Sequence, residues 1–188
     1  MLKHIEEFQK HVAITGFREA RIKNVDQFLE ETNSEKPKNA EIQLFDANLV
    51  ATWQHLYFAA LNAMTVFRNK ENISKSLAME TMLYASAQHQ IRKAMEIIGI
   101  KPSTKAVAVL IVGEIPATVE TVLAKIAKRI GGKEDEGVLG LTEEKMLKIR
   151  KAFRISDAEL RTASRKSGSE RALIDLVVER MALLSTER

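Results

Sequence analysis

Two stretches, Ile42-Gln-Leu-Phe-Asp46 and Ala106-Val-Ala-Val-Leu-Ile-Val112, bracket the part of the chain that decides its fold. The second is a near-continuous aliphatic run, too short for a stable helix and rich in valine, whose branched Cβ favours extended backbone. It predicts a central strand covered on both faces. The first predicts another strand. Between them Leu49, Val50, Trp53, Leu56, Tyr57, Ala60, Leu61, Met64 and Phe67 recur at intervals of three and four, so a long helix with one broad apolar face follows, with Asp46 at its N-cap. After the polar turn Arg68–Asn72 a second helix opens near Ser74. It uses Leu77, Met79, Leu83 and Tyr84 and continues through Ile91, Met95 and Ile98 to Gly99, expected in the left-handed conformation with Pro102 beyond it.

Upstream, His11-Val-Ala-Ile-Thr15 predicts a strand closed by Gly16. Asn24 caps a helix through Val25, Phe28 and Leu29 that gives way to a polar loop over Thr32–Asn39. Downstream, Pro116 sits in the first turn of a helix whose apolar face is Val119, Val122, Leu123, Ile126 and Ile130. Gly131–Gly137 reads as a flexible acidic loop. From Thr142 the pattern is helical throughout, with capping-box frames at Ser156–Glu159 and Ser167–Glu170 and a last helix carrying Leu173, Leu176, Val177, Met181, Leu183 and Leu184. The expected class is α/β: a small mixed sheet of about three to four strands packed with helices, plus a helical C-terminal portion. One domain spans residues 1–188, mixed α/β to about 132 and mainly helical from about 141.

Composition narrows the function. Hydrophobic residues form 45% of the 188, enough for a core without staples. With no cysteine, disulfides and zinc-thiolate sites are excluded, and a reducing cytoplasm fits the chain. The N-terminal residues lack the apolar core of a signal peptide, and no apolar run approaches the roughly 20 residues of a membrane span. A net charge of +4 and a pI near 9.3 permit a nucleic-acid partner without requiring one.

Catalytic and cofactor motifs do not assemble. There is no Gly-x-Ser-x-Gly elbow and no Gly-x-Gly-x-x-Gly after a strand, and Gly131-Gly-Lys133 lacks the spacing of a phosphate loop. His4, His11, His55 and His89 stand singly, so no metal site is expected. His55 lies off the apolar stripe and is read as exposed or internally satisfied, and Trp53 as core. A polar cluster remains: Gln88, His89, Gln90, Arg92 and Lys93, with Lys75 opening the preceding helix. On a helix His89, Arg92, Lys93 and Glu96 share a face opposite Ile91, Met95 and Ile98. Amides read base edges and sugar hydroxyls, and cations meet phosphate, so the cluster suits RNA; solvated surface is the other reading. If Gln88 opened a helix, free N–H groups would add to an anion site. The last helix, apolar over more than a stripe, is either core or the flank offered to a partner.

At this point the residues resemble a known family. Ile42–Asp46 running into Leu49-Val-Ala-Thr-Trp-Gln-His-Leu-Tyr-Phe-Ala59, then Asn72-Ile-Ser, Glu80-Thr-Met-Leu-Tyr-Ala-Ser86, Gln90-Ile91, Gly99-Ile100 and the closing Leu176-Val-Val-Glu-Arg-Met-Ala-Leu-Leu184, is similar to the small accessory subunit of the KEOPS complex. That is the family of the human PRPK-binding protein and its archaeal relatives, and the archaeal branch looks nearest. The resemblance implies a non-catalytic, cytoplasmic subunit of the complex that makes threonylcarbamoyladenosine in tRNA. It would bind the small lobe of the kinase/ATPase subunit and engage the 3′ CCA end of tRNA, with no cofactor, metal, membrane or small-molecule substrate of its own. Ser86-Ala-Gln-His-Gln-Ile91 matches the family's Ser-Gly-x-Arg-Gln-Ile-like pattern, with Ala87 where glycine is common and His89 where arginine is. The implied RNA face is Lys75, Gln88, His89, Gln90, Arg92 and Lys93. The implied kinase face is Leu173, Val177, Met181 and Leu184. The rival is a protein-only scaffold that docks on the kinase without specific RNA binding. A third reading is a small-molecule enzyme with Glu114 beside the Val107–Val112 strand.

Overall fold

The computed structural model describes residues 1–184 and 186, with side chains at 166 and 167 left out. The aliphatic run folds as β4 (Val107–Gly113), buried at every position. Its alternate side chains serve opposite faces, Val107, Val109 and Ile111 on one and Ala108, Leu110 and Val112 on the other. Antiparallel to it lie β2 (Lys10–Arg18) and β3 (Ala40–Asp46), in register from His11↔Gly113 to Phe17↔Val107 and from Ala40↔Gly113 to Asp46↔Val107. β1 (Leu2–Ile5) and the short β5 (Lys133–Glu134) pair with the far side of β2, giving the order β1-β2-β4-β3. The sheet described thus has five strands, all paired antiparallel, in place of the smaller mixed sheet expected.

Helices cover both faces, which is why β4 needs no polar side. On one face α1 (Val25–Glu35) and α5 (Pro116–Ile130) pack Phe28, Leu29, Val119, Val122, Ile126 and Ile130 against Ile42, Leu44 and Ile111. On the other lie α2 (Trp53–Asn69), α3 (Leu77–Ser86), α4 (Ile91–Ile98) and the end of α8 (Ser169–Leu184). Each fully buried aliphatic side chain there contributes about 1.5–3 kcal/mol.

Several elements depart from the sequence pattern for identifiable reasons. α1 runs to Glu35, through the segment read as loop, because Thr32 is buried on its inner face and Pro37 stops it only from Lys36 onward. Asp46 caps a single 3-10 turn, Ala47–Leu49, through the Asn48 N–H at 3.0 Å, and α2 begins later at Trp53. Leu49 and Val50 therefore precede the helix. The buried face of α2 is Leu56, Ala59, Ala60, Ala63 and Met64, since the alanines let it approach the sheet closely. Trp53, Tyr57 and Leu61 flank that face half-buried, and Lys3 Nζ stands 4.3 Å from the Trp53 ring centre.

The helix expected from Ser74 to Gly99 is two helices. Ser76 caps α3 through the Met79 N–H at 3.1 Å, and the chain turns at Ala87 (φ 50°, ψ 45°) before α4. Gly99 is extended, φ −69°, not left-handed. The Gly131–Gly137 segment is ordered: after Gly131 (φ 65°) it forms β5 and a 3-10 turn, Glu136–Leu139, that crosses Gly16. A Cβ on Gly16 would sit 2.3 Å from Val138 Cγ2 and 2.8 Å from the Asp135 carbonyl, so this strap needs glycine beneath it.

The helical portion comprises α6 (Glu143–Ala152), α7 (Asp157–Ser167) and α8. Thr142 caps α6 and Ser156 with Glu159 forms the capping box of α7. The other frame involves Ser167, whose side chain lies outside the described residues. Ile149, Phe153, Ile155, Leu173, Leu176 and Val177 make a third core over Ala51. Lys145 ties this portion to the strap that crosses Gly16, donating from Nζ to the Val138 and Gly140 carbonyls at 2.8 and 3.0 Å. Burial pushes its ammonium down to about 8, against the opposing pull of Asp46.

Candidate nucleic-acid interface

The Ala87 turn is built by the end of α3. The Ala87 N–H donates to the Tyr84 carbonyl at 2.9 Å and the Gln88 N–H to the Leu83 carbonyl at 3.0 Å, the paired bonds of a Schellman motif. Ala87 occupies the left-handed position that usually takes glycine. Gln88 consequently ends one helix instead of opening the next, and Gln90 is the residue preceding α4. On α4 the buried side chains are Ala94 and Ile98, whereas Ile91 (40%) and Met95 (43%) are exposed, so the apolar face opposite the charged one is partly surface.

Facing this turn is the end of α6, closed in the same way. The Ile155 N–H reaches the Arg150 carbonyl at 2.9 Å, and Arg154 takes the left-handed position at φ 54°. Between the two turns lies a cleft of about 590 Å³. Its floor is Ala87, Ile97, Ala152 and Phe153; its rim carries Lys93, Lys151, Arg154 and Arg180, with Gln88 beside them and Glu96 the only carboxylate in the lining. No ion pair among the described residues engages Lys93, Lys151 or Arg154, whereas Arg180 is held by Glu159. The Glu159 carboxyl is held at about 2, chiefly by the Ser156 N–H, then by the Ser156 hydroxyl and Arg180. Left-handed non-glycine residues cost of order 1–2 kcal/mol each, and here two of them wall one site.

An apolar floor beneath unneutralised cations suits an unstacked base with its phosphates. Of the residues singled out in the sequence, the cleft unites Gln88 and Lys93. Lys75 is exposed at the opposite end of α3, about 15 Å of helix away. The turn carrying it is held by the buried Glu80 carboxylate, which accepts from the N–H groups of Ile73 and Ser74 at 3.0 and 2.7 Å. Arg92 is fully outside and pairs with Glu96 at 3.0 Å; Gln90 is exposed, and His89 is half-buried before the helix, not on its face. Lys151, Arg154 and Arg180 were missed because they join the cleft only through tertiary packing, over distances in sequence that no local pattern spans.

The remaining candidates also find their places. Leu173 and Val177 are buried in the third core, and Met181 and Leu184 against α2 and α3, all at 3% exposure or less. They attach α8 to its own chain, so they are not surface side chains a partner could touch; the exposed large apolar side chain of this helix is Leu183, at 41%. His55 is wholly buried. Its Nδ1 accepts from the Ala51 N–H at 3.1 Å and its Nε2 therefore donates to the Ala85 carbonyl at 2.7 Å. Burial lowers it to about 4. Glu114 is exposed and paired with Lys10 at 2.9 Å, whose hydrogen bond holds the carboxyl below the usual range. Among the described residues no cluster of His, Asp or Glu could hold a metal, and no helix is long and apolar enough to cross a membrane.

Fold and cleft together define a protein of the binding class, a helix-clad antiparallel sheet with a cationic cleft and exposed apolar helix positions. Comparison with known proteins makes this specific. The chain belongs to the CGI-121 family of kinase-binding proteins, whose family model, kinase binding protein CGI-121, matches residues 20–185. It is 32% identical over 175 residues to the regulatory protein Cgi121 of Methanocaldococcus jannaschii, covering 93% of this chain and 98% of that one.

Proposed function

We propose that this chain is a non-catalytic accessory subunit of a KEOPS-type complex that modifies tRNA with threonylcarbamoyladenosine, docking on the kinase/ATPase subunit and holding the 3′ CCA end of tRNA. Family membership supports the kinase partner. The observation that carries the RNA half is the cleft: three cations without a carboxylate partner over an apolar floor, between two strained turns. The unpaired CCA end supplies what such a cleft accommodates, bases free to leave the stack and a phosphate backbone. The mechanism is positioning. Holding one end of the tRNA raises the effective concentration of its distant modified region at the catalytic subunit without any new chemistry here.

The kinase docks, on this reading, on exposed apolar positions of the packed pair α2 and α8, Phe58 and Leu183. The RNA half is tested by the double variant Lys93→Glu/Lys151→Glu, both exposed helical positions whose reversal leaves the core untouched. Affinity for tRNA is expected to fall at least tenfold, and the slope of log affinity against log salt to shrink by about 0.7–0.9 for each phosphate that the variant no longer neutralises. Unchanged affinity and slope would leave a protein-only scaffold.

A further inference from the structure

β3 is an edge strand, and the direction of its peptide groups follows from the register. Ile14 exchanges backbone hydrogen bonds with Met1, donating at 2.9 Å and accepting from the terminal ammonium at 2.9 Å, so even-numbered residues of β2 face β1 and odd ones face β4. Ala13 pairs with Ile111, and Ile111 is opposite Ile42. The peptide groups of Ile111 are thus spent on β2, and those of Ile42 turn outward. Two side chains confirm this parity: Lys36 Nζ donates to the Ala40 carbonyl at 2.9 Å and Gln43 Nε2 to the Leu44 carbonyl at 3.1 Å, both on the open edge. Between those capped carbonyls the N–H and C=O of Ile42 and the N–H of Leu44 have no hydrogen bond among the described residues.

This edge is the floor of an apolar groove of about 340 Å³. α1 forms one wall through Val25 and Leu29, and α3 and α4 the other through Met79, Met82 and Met95. Its charged lining residues, Lys36 and Glu41, cancel in an ion pair at 3.1 Å, so the groove suits an uncharged occupant, not nucleic acid. A buried donor and acceptor on one residue, with another donor two residues on, match the spacing of an extended backbone, and the flanking methionines adapt to varied side chains.

We propose that this groove binds an extended, uncharged segment of polypeptide that adds to β3 as a further strand, with apolar residues at alternate positions entering between α1 and the α3–α4 wall. Such strand addition takes affinity from main-chain hydrogen bonds and selectivity from alternate side-chain pockets. The groove shares no lining residue with the cationic cleft, so the inference stands apart from the RNA reading.

The test is selection from a bead-borne library of capped peptides of about seven residues against the full chain, followed by 15N–1H titration with the tightest peptide. The expected peptides alternate apolar residues and shift the Ile42 and Leu44 amides. They bind at least tenfold more weakly when N-methylated on the edge facing β3, and equally weakly to Asn33→Trp, a plug placed from an exposed lining position. Recovery of no peptide, of peptides that bind Asn33→Trp as well as the parent, or of shifts centred on Lys93 and Lys151 would overturn the proposal. So would self-association of the free chain that Met95→Glu abolishes, since it would give the edge to a second copy.

Discussion

His55 and Ala87 show how single residues in this chain are governed by surroundings that their own identity does not reveal. A histidine off an apolar stripe reads as either exposed or internally satisfied; here it is enclosed and satisfied, its two ring nitrogens joining the Ala51 N–H before α2 to the Ala85 carbonyl of α3. Burial sets its folded value at about 4 against 6.5 for the ordinary imidazole. Between those values the unfolded chain binds a proton that the folded chain refuses, so stability is full above pH 6.5 and is lost as pH falls toward 4. The loss is about 3 kcal/mol over that window. Urea unfolding of His55→Leu is expected to start from a less stable protein, because two buried backbone groups lose their partner, and to show a flatter decline from pH 6.5 to 4 than the parent. A parallel decline in both would show that other groups control acid stability. At Ala87 the strain is conformational. Ala87→Gly relieves the left-handed penalty and is expected to stabilise the protein by about 0.5–1 kcal/mol, net of the greater freedom it gives the unfolded chain. A loss of stability on urea unfolding would mean that the Ala87 methyl packs more than it strains.

Among the elements, those with long apolar runs or clear caps were legible: β4 from its valines, α5 from Pro116, α6 from Thr142 and α7 from Ser156. What escaped was the break between α3 and α4. Leu83, Ile91, Met95 and Ile98 keep helical spacing across it, and alanine at the turning residue gives no signal where glycine would. The strap over Gly16 was equally hidden, since glycine and acidic residues suggest mobility and its order comes from pairing with β2. For α8 the breadth of apolar residues left core and partner open. The structure divides them, with Leu173, Val177, Met181 and Leu184 inside and Leu183 outside. Leu183→Arg is accordingly expected to abolish co-purification with the kinase subunit while leaving the melting temperature within a few degrees of the parent, whereas retained co-purification would move the docking face off this helix.

For the whole molecule, the α/β class and the order of most elements were written in local patterns, because strands and helices are set by periodicity. The site was legible only in half. Gln88 and Lys93 stood out as members of a polar cluster, but the opposing wall of Lys151, Arg154 and Arg180 exists only because the helical portion folds back over α2 and α3. That packing turns scattered surface charge into one cationic cleft, the surface we propose for RNA. The central claim is that this surface holds the end of tRNA. The most direct measurement is the affinity of the purified chain for one tRNA at moderate salt, intact and with its terminal CCA removed. The account predicts clear loss of binding on removing CCA. Equal, weak and salt-fragile binding to both would contradict it.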